Sequence, residues 1–177
     1  MTWTLADGMR GRRWRAITTS ADGRLVQTLL LEVDPDGRVQ KLEIGAPAGL
    51  LTLHPDAGSS TLHGNIVRVT GVEHVALPWS PGHALLAGAS PITGGVAALA
   101  LAATIGPGEG ATFPAVEVAE DLSVRRATWR AARVAERRWR LLAADGGASV
   151  FVELGPDGVP AGLDGAATWA LESVDPS

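Results

Sequence analysis

The chain has no cysteine and no tyrosine, only two phenylalanines, and a single lysine, Lys41, against fourteen arginines. Without a thiol there is no disulfide framework, no thiolate metal centre and no cysteine nucleophile. Long hydrophobic runs are missing as well. The longest, Val96 to Ala103, has eight residues, whereas a membrane-spanning helix needs about 20. The opening stretch MTWTLADGMRGRRWRA has no apolar segment followed by a small-residue cleavage site, so the expected location is the cytoplasm. At 177 residues a single domain buries about 70% of its unfolded surface and needs no covalent staple. What is present instead is tryptophan: six of the eight aromatic residues. An aromatic-poor chain that keeps six of the largest side chains places them where broad rigid surface matters.

The net charge of −4 hides an uneven distribution. Residues 10–15 carry four Arg and no acid, and residues 121–140 carry seven Arg against Asp121 and Glu136, which leaves −13 on the remainder. Such stretches suit either a patch that meets anions or the solvated face of strands. The acidic total and the absence of a recognition motif argue against nucleic acid as a partner.

Turn signals are dense: Asp7-Gly8, Asp22-Gly23, Asp36-Gly37, Asp145-Gly146, Asp157-Gly158 and Asp164-Gly165, with Ser80-Pro81-Gly82 besides. Short segments between such turns predict a β meander. Leu25, Leu29, Leu31 and Val33 share one parity, and across Asp34-Pro35-Asp36-Gly37 the pair Leu42 and Ile44 opposes Lys41 and Glu43, as in a hairpin with one buried face. The same grammar recurs. Arg12-Arg13-Trp14-Arg15 returns as Arg137-Arg138-Trp139-Arg140, and Leu31-Glu32-Val33-Asp34-Pro35-Asp36-Gly37 as Val152-Glu153-Leu154-Gly155-Pro156-Asp157-Gly158. An Asp-Gly turn separates the two motifs each time, at offsets of 125 and then 121 residues, which reads as a duplicated unit.

Residues 87–110 differ in character. Ser90-Pro91 suits an N-cap and first helical position, and Val96 to Ala103 could continue a short helix. Gly94 and Gly95 oppose it by about 1 kcal/mol each. The segment Gly106-Pro107-Gly108-Glu109-Gly110 lacks the spacing of a phosphate loop and reads as an ordinary loop. Over 123–142, Trp129, Ala132, Glu136, Trp139 and Leu142 fall at helical spacing, but the likeness to the strand-like first copy predicts two strands.

Catalytic constellations are missing. No serine lies in a nucleophile elbow, since Ser90 stands in Gly88-Ala89-Ser90-Pro91-Ile92. His54, His63, His74 and His83 form no compact ligand motif, so no metal, cofactor or catalytic residue is expected. The Trp motifs carry more. In a strand, Arg12 and Trp14 point one way, as do Arg137 and Trp139. A guanidinium beside a large ring suits an amphiphile, with the ring on chain or sugar and the cation on a polar head. A core Trp capped by a snorkelling Arg fits the same pattern.

The stretch Val69-Thr70-Gly71-Val72-Glu73-His74-Val75-Ala76-Leu77-Pro78-Trp79-Ser80-Pro81-Gly82-His83-Ala84-Leu85-Leu86, followed by Ser90-Pro91-Ile92, resembles a bacterial glycolipid-binding family. The order of features over residues 10–165 is similar too, although the family's tyrosines are absent and Ala84 to Ser90 replaces its basic stretch. The resemblance implies a long curved antiparallel sheet, similar to that of lipoprotein carriers and mycobacterial glycolipid-carrying lipoproteins, and no catalytic residues.

The expected protein is thus mostly β: one β-rich domain over 1–177, built as two related halves at about 10–88 and 111–172 joined by 89–110. It has at most one or two short helices near 90–103. The expected function is non-catalytic binding of a lipid or glycolipid-like amphiphile in an apolar groove. Trp14, Trp79, Trp129 and Trp139 line that groove, and Arg12, Arg137 and His83 meet the head. The alternative is a structural or protein-interaction β domain. An exposed edge strand would allow a homodimer.

Overall fold

A computed structural model describes residues 1–56, 58, 60–88, 90–163 and 167–168. Its elements follow in the order β1 (Thr2–Gly8), β2 (Gly11–Thr19), β3 (Leu25–Val33), β4 (Val39–Ala46), β5 (Gly49–Pro55), β6 (Thr61–Arg68), β7 (Gly71–Pro78), β8 (Ala84–Ala87), α1 (Pro91–Leu101), β9 (Gly110–Val118), β10 (Val124–Ala135), β11 (Arg138–Ala143), β12 (Ser149–Leu154), β13 (Pro160–Leu163) and β14 (Ala167–Thr168). The mostly-β expectation holds: among the described residues one helix lies at 91–101, within the expected 90–103, and the stretch 123–142 carries the two strands β10 and β11. Strands β1 to β7 form one seven-stranded sheet in chain order, and a second sheet runs β14-β13-β12-β11-β10-β9-β8. Antiparallel pairing prevails, but β8 and β9 pair in parallel, with Ala84 opposite Ala115. None of the described helices is long and apolar enough to cross a membrane. The chain separates into two compact units, residues 1–88 with 113–128, and residues 89–112 with 129–177.

In the first unit, strand parity selects the buried face. One row of directly opposed residues runs Leu5, Trp14, Leu31, Leu42, Leu53, Gly64, Val75 across all seven strands, and every residue from Trp14 to Val75 in it is buried. Each large apolar side chain so placed contributes about 1.5–3 kcal/mol. Val26 and Leu30, which share the parity of the polar residues, are exposed and half-buried respectively. The opposite face carries the Arg13–Glu32 and Lys41–Glu43 ion pairs at 2.6 and 2.8 Å, exposed pairs of small energetic weight.

Two turns show why the Asp-Gly signals were legible. Between β3 and β4, Asp34 Oδ1 accepts the N–H of Asp36 and Arg38, and Gly37 takes φ +79°. Between β12 and β13, Asp157 Oδ1 accepts the Val159 N–H and Gly158 takes φ +75°. Both use a left-handed glycine to close a short hairpin loop. Between β9 and β10 the turn is closed by Leu122 at φ +65°, with its side chain wholly buried. There the hydroxyl and N–H of Ser123 hold the Asp121 carboxyl below its ordinary range.

In the second unit, α1 is apolar on all sides: every residue from Pro91 to Ala98 is buried. Ser90 occupies the N-cap position, but its side chain makes no capping bond. Its carbonyl accepts from the Gly94 N–H and the Thr93 hydroxyl instead. The two glycines that weaken the helical signal are where α1 meets the sheet. A Cβ on Gly94 would lie 3.0 Å from Val150 Cγ1, and one on Gly95 would lie 2.3 Å from Pro160 Cγ. Propensity alone makes Gly95→Ala stabilising by about 1 kcal/mol. Overpacking of about 1–3 kcal/mol opposes it, so no gain and a net loss of up to about 2 kcal/mol are expected from urea denaturation, and a gain would show that α1 floats free of Pro160.

Candidate functional site

Residues from β9, β10 and β11 build the site, all within the second unit. In the β10–β11 hairpin, Trp129, Ala131, Trp139, Leu141 and Ala143 point to the core. The intervening residues therefore face outward. Arg130 lies opposite Leu142, and Ala132 opposite Arg140, so the two arginines are diagonal neighbours across the hairpin. With Gly110, Ala111 and Thr112 of β9, and with Ala131, Ala132 and Leu142 of the hairpin, they line a depression of about 580 Å³. Gly110 is needed there because a Cβ would approach the Ala131 carbonyl oxygen to 2.8 Å.

Neither arginine that lines the depression is neutralised. Arg125 pairs with Glu117 at 2.6 Å and Arg138 with Glu153 at 3.3 Å, whereas neither Arg130 nor Arg140 has a carboxylate partner among the described residues. Arg140 is held by its cross-strand neighbour: its Cζ sits 5.3 Å from the centre of the Phe151 ring, a cation–π contact. Both guanidinium groups are exposed and free to bind.

The residues singled out in the sequence fall into three places. Trp14, Trp129 and Trp139 are core, each 1% exposed. Nε1 of Trp14 and of Trp139 is buried without a hydrogen-bond partner. Arg12 shares the inward face with Trp14 and binds Asp7 Oδ2 at 3.0 Å. Arg137 is exposed just ahead of β11, its carbonyl accepting the Leu154 N–H. The arginine beside Trp139 is Arg133, directly opposite it in the register and 5.4 Å from its ring centre. Arg133 also donates to the carbonyls of Ile105 at 3.0 Å and Glu136 at 2.7 Å, so it is a structural group.

Trp79 and His83 do meet, in the first unit. Their rings stack at 5.5 Å with 29° between planes. His83 Nδ1 accepts the Ser80 N–H at 3.1 Å and lies 2.8 Å from Ser80 Oγ. A nucleophile needs a base oriented by an acid. Here Nδ1 is already occupied by the amide of its own turn, and no carboxylate pairs with His83 among the described residues. His54 and His63 oppose each other across β5 and β6. No group of three or more His, Asp or Glu is placed to hold a metal among the described residues.

Sequence reasoning missed Arg130, Arg140 and Thr112. The charge of 121–140 was the available signal, but which of its arginines lack acids depends on cross-strand register. Phe151, the ring that orders Arg140, stands in a separate strand.

No family model matches the chain. No curated protein matches it in sequence. Among solved structures, the crystal structure of a DUF1089 family protein from Pseudomonas aeruginosa is similar in fold, with a TM-score of 0.67 and 16% identity over 96% of this chain and 91% of that one.

Proposed function

We propose that the protein binds a lipid or glycolipid-like amphiphile without chemical change to it, as a cytoplasmic binding protein. The observation that carries this reading is the depression of the second unit, which Arg130, Arg140 and Thr112 line together with Ala132 and Leu142. A few polar groups placed among apolar side chains suit a molecule with a polar end and an apolar body. The resemblance of residues 69–92 to a glycolipid-binding family points the same way. Trp79 and His83 offer a second aromatic surface for a ring or chain. The hairpins that carry Trp14 opposite Leu31 and Trp139 opposite Val152 support descent of the two from one duplicated unit.

A second reading places the ligand inside. The indole N–H groups of Trp14 and Trp139 are buried without acceptors, at about 1–3 kcal/mol each. An ester or amide carbonyl of a chain bound within either unit would satisfy the indole of that unit.

Native mass spectrometry of gently purified protein, with tryptophan fluorescence during lipid addition, tests the function. Trp129 and Trp139 adjoin Arg130 and Arg140 along their strands, so saturable binding is expected to change the emission. A clean apo mass with a flat response across neutral, anionic and glycosylated lipids would sink the reading in favour of a structural or protein-interaction domain.

A further inference from the structure

We infer that the Arg130–Arg140 depression is an anion site, and that its ligand presents a phosphate or sulfate monoester. That the anion is the head of an amphiphile rests on the proposed function, whereas the anion site itself does not.

The register sets the geometry. Arg130 and Arg140 are diagonal neighbours on one face, about 7–8 Å apart with their Cβ atoms somewhat closer. Two guanidinium forks so placed reach a group between them from two sides. A tetrahedral anion offers three terminal oxygens in different directions and can serve both forks, while the two oxygens of a carboxylate lie in one plane and suit a single fork. Arg140 is already ordered on Phe151, which lowers the entropy lost on binding. Thr112 adds a hydroxyl donor from the third strand.

The surroundings favour an anion over a neutral sugar. Gly110, Ala111, Ala131, Ala132 and Leu142 bring no acid and no amide side chain into the depression. The acid near Phe151 on this face, Glu153, is engaged by Arg138 at 3.3 Å. Sugar hydroxyls need acceptors for their protons, usually carboxylates or side-chain amides, and the lining's only side-chain acceptor is the Thr112 hydroxyl. The volume of about 580 Å³ exceeds a bare phosphate and leaves room for the group it esterifies.

Isothermal titration calorimetry of the full chain tests this with three probes: inorganic phosphate, octyl phosphate and octyl glucoside, the last two below their micelle concentrations. Octyl phosphate is expected to bind more tightly than inorganic phosphate, and at least about tenfold more tightly than octyl glucoside. Arg130→Ala and Arg140→Ala each weaken octyl phosphate about tenfold or more; both side chains are exposed, so the melting temperature stays unchanged in the first and falls by no more than a few degrees in the second, which loses the Phe151 contact. Arg130→Lys and Arg140→Lys restore part of the loss, since charge returns without the fork. Phosphate and octyl phosphate affinities that ignore both alanine substitutions overturn the anion site. Equal binding of octyl phosphate and octyl glucoside, insensitive to the arginines, overturns it while the amphiphile function stands. Arginine-dependent binding of inorganic phosphate with no gain from the octyl chain upholds the anion site and overturns the amphiphile function.

Discussion

Gly64→Ala is expected to destabilise the protein by about 3 kcal/mol or more, the upper part of the range for overpacked cores. Gly64 stands in the buried row of the first sheet, between Leu53 of β5 and Val75 of β7. A methyl group there would fall 2.0 Å from the Thr52 carbonyl oxygen and 2.6 Å from Leu53 Cδ2. Neither neighbour has room to retreat: the carbonyl belongs to the sheet backbone, and Leu53 is wholly buried. The effect is one of space, because Gly64 does not use a left-handed φ. Gly45 is the matched control. It also lies in a strand without a left-handed φ, but a Cβ there meets only Thr28 Oγ1, at 2.6 Å, and Cβ, at 4.0 Å, and the hydroxyl can rotate away. Gly45→Ala is expected to change stability by less than about 1 kcal/mol, as surface substitutions usually do. Urea denaturation of the two variants side by side checks the prediction, and equal midpoints would refute it.

Arg133→Ala is the second large effect, about 3 kcal/mol. The C-terminus of α1 has no basic residue in its last turn and ends at Ala102 in right-handed helical geometry, without a glycine cap. Arg133 supplies from another strand what the helix sequence lacks. Its Nη1 donates to the Ile105 carbonyl at 3.0 Å, and Nε and Nη2 donate to the Glu136 carbonyl at 3.0 and 2.7 Å. Its Cζ covers the Trp139 ring at 5.4 Å. Charged hydrogen bonds contribute about 1.5–3 kcal/mol each and are not additive within a network. A cation near a helix C-terminus adds about 0.3–1 kcal/mol. Arg133→Lys keeps the charge but cannot donate to both carbonyls in the same plane, so it is expected to recover less than half of the loss in thermal and urea unfolding. Full recovery by lysine would mean that charge alone is at work.

The parts of the fold that sequence made legible are those set by chain neighbours. The Asp-Gly turns and the parity of Leu29, Leu31, Leu42 and Ile44 define hairpins without reference to distant residues, and the meander followed. Ser90-Pro91 announced α1. Gly94 and Gly95 spoke against it only because their reason, the nearness of Val150 and Pro160, lies some sixty residues further on. The site was less legible for the same cause. Parity told that Trp14 and Arg12 share a face, but not that this face is closed over by core. The β10–β11 register, with its irregularity between Arg133 and Ala135, decides that Arg133 and not Arg137 covers Trp139. It also brings Arg130 and Arg140 together from ten residues apart.

The strand order of the first sheet has a consequence for how the chain folds. All six pairings among β1 to β7 join consecutive strands, so each closes only a short loop, and the entropy lost at each closure is small. Any hairpin can serve as a nucleus, and its neighbours can add one at a time along the sheet. The parallel β8–β9 ladder is different, since Ala84 must find Ala115 across the whole of α1. Among the strand pairings of the first unit that ladder closes the longest loop, so it is expected to be the last of them to form.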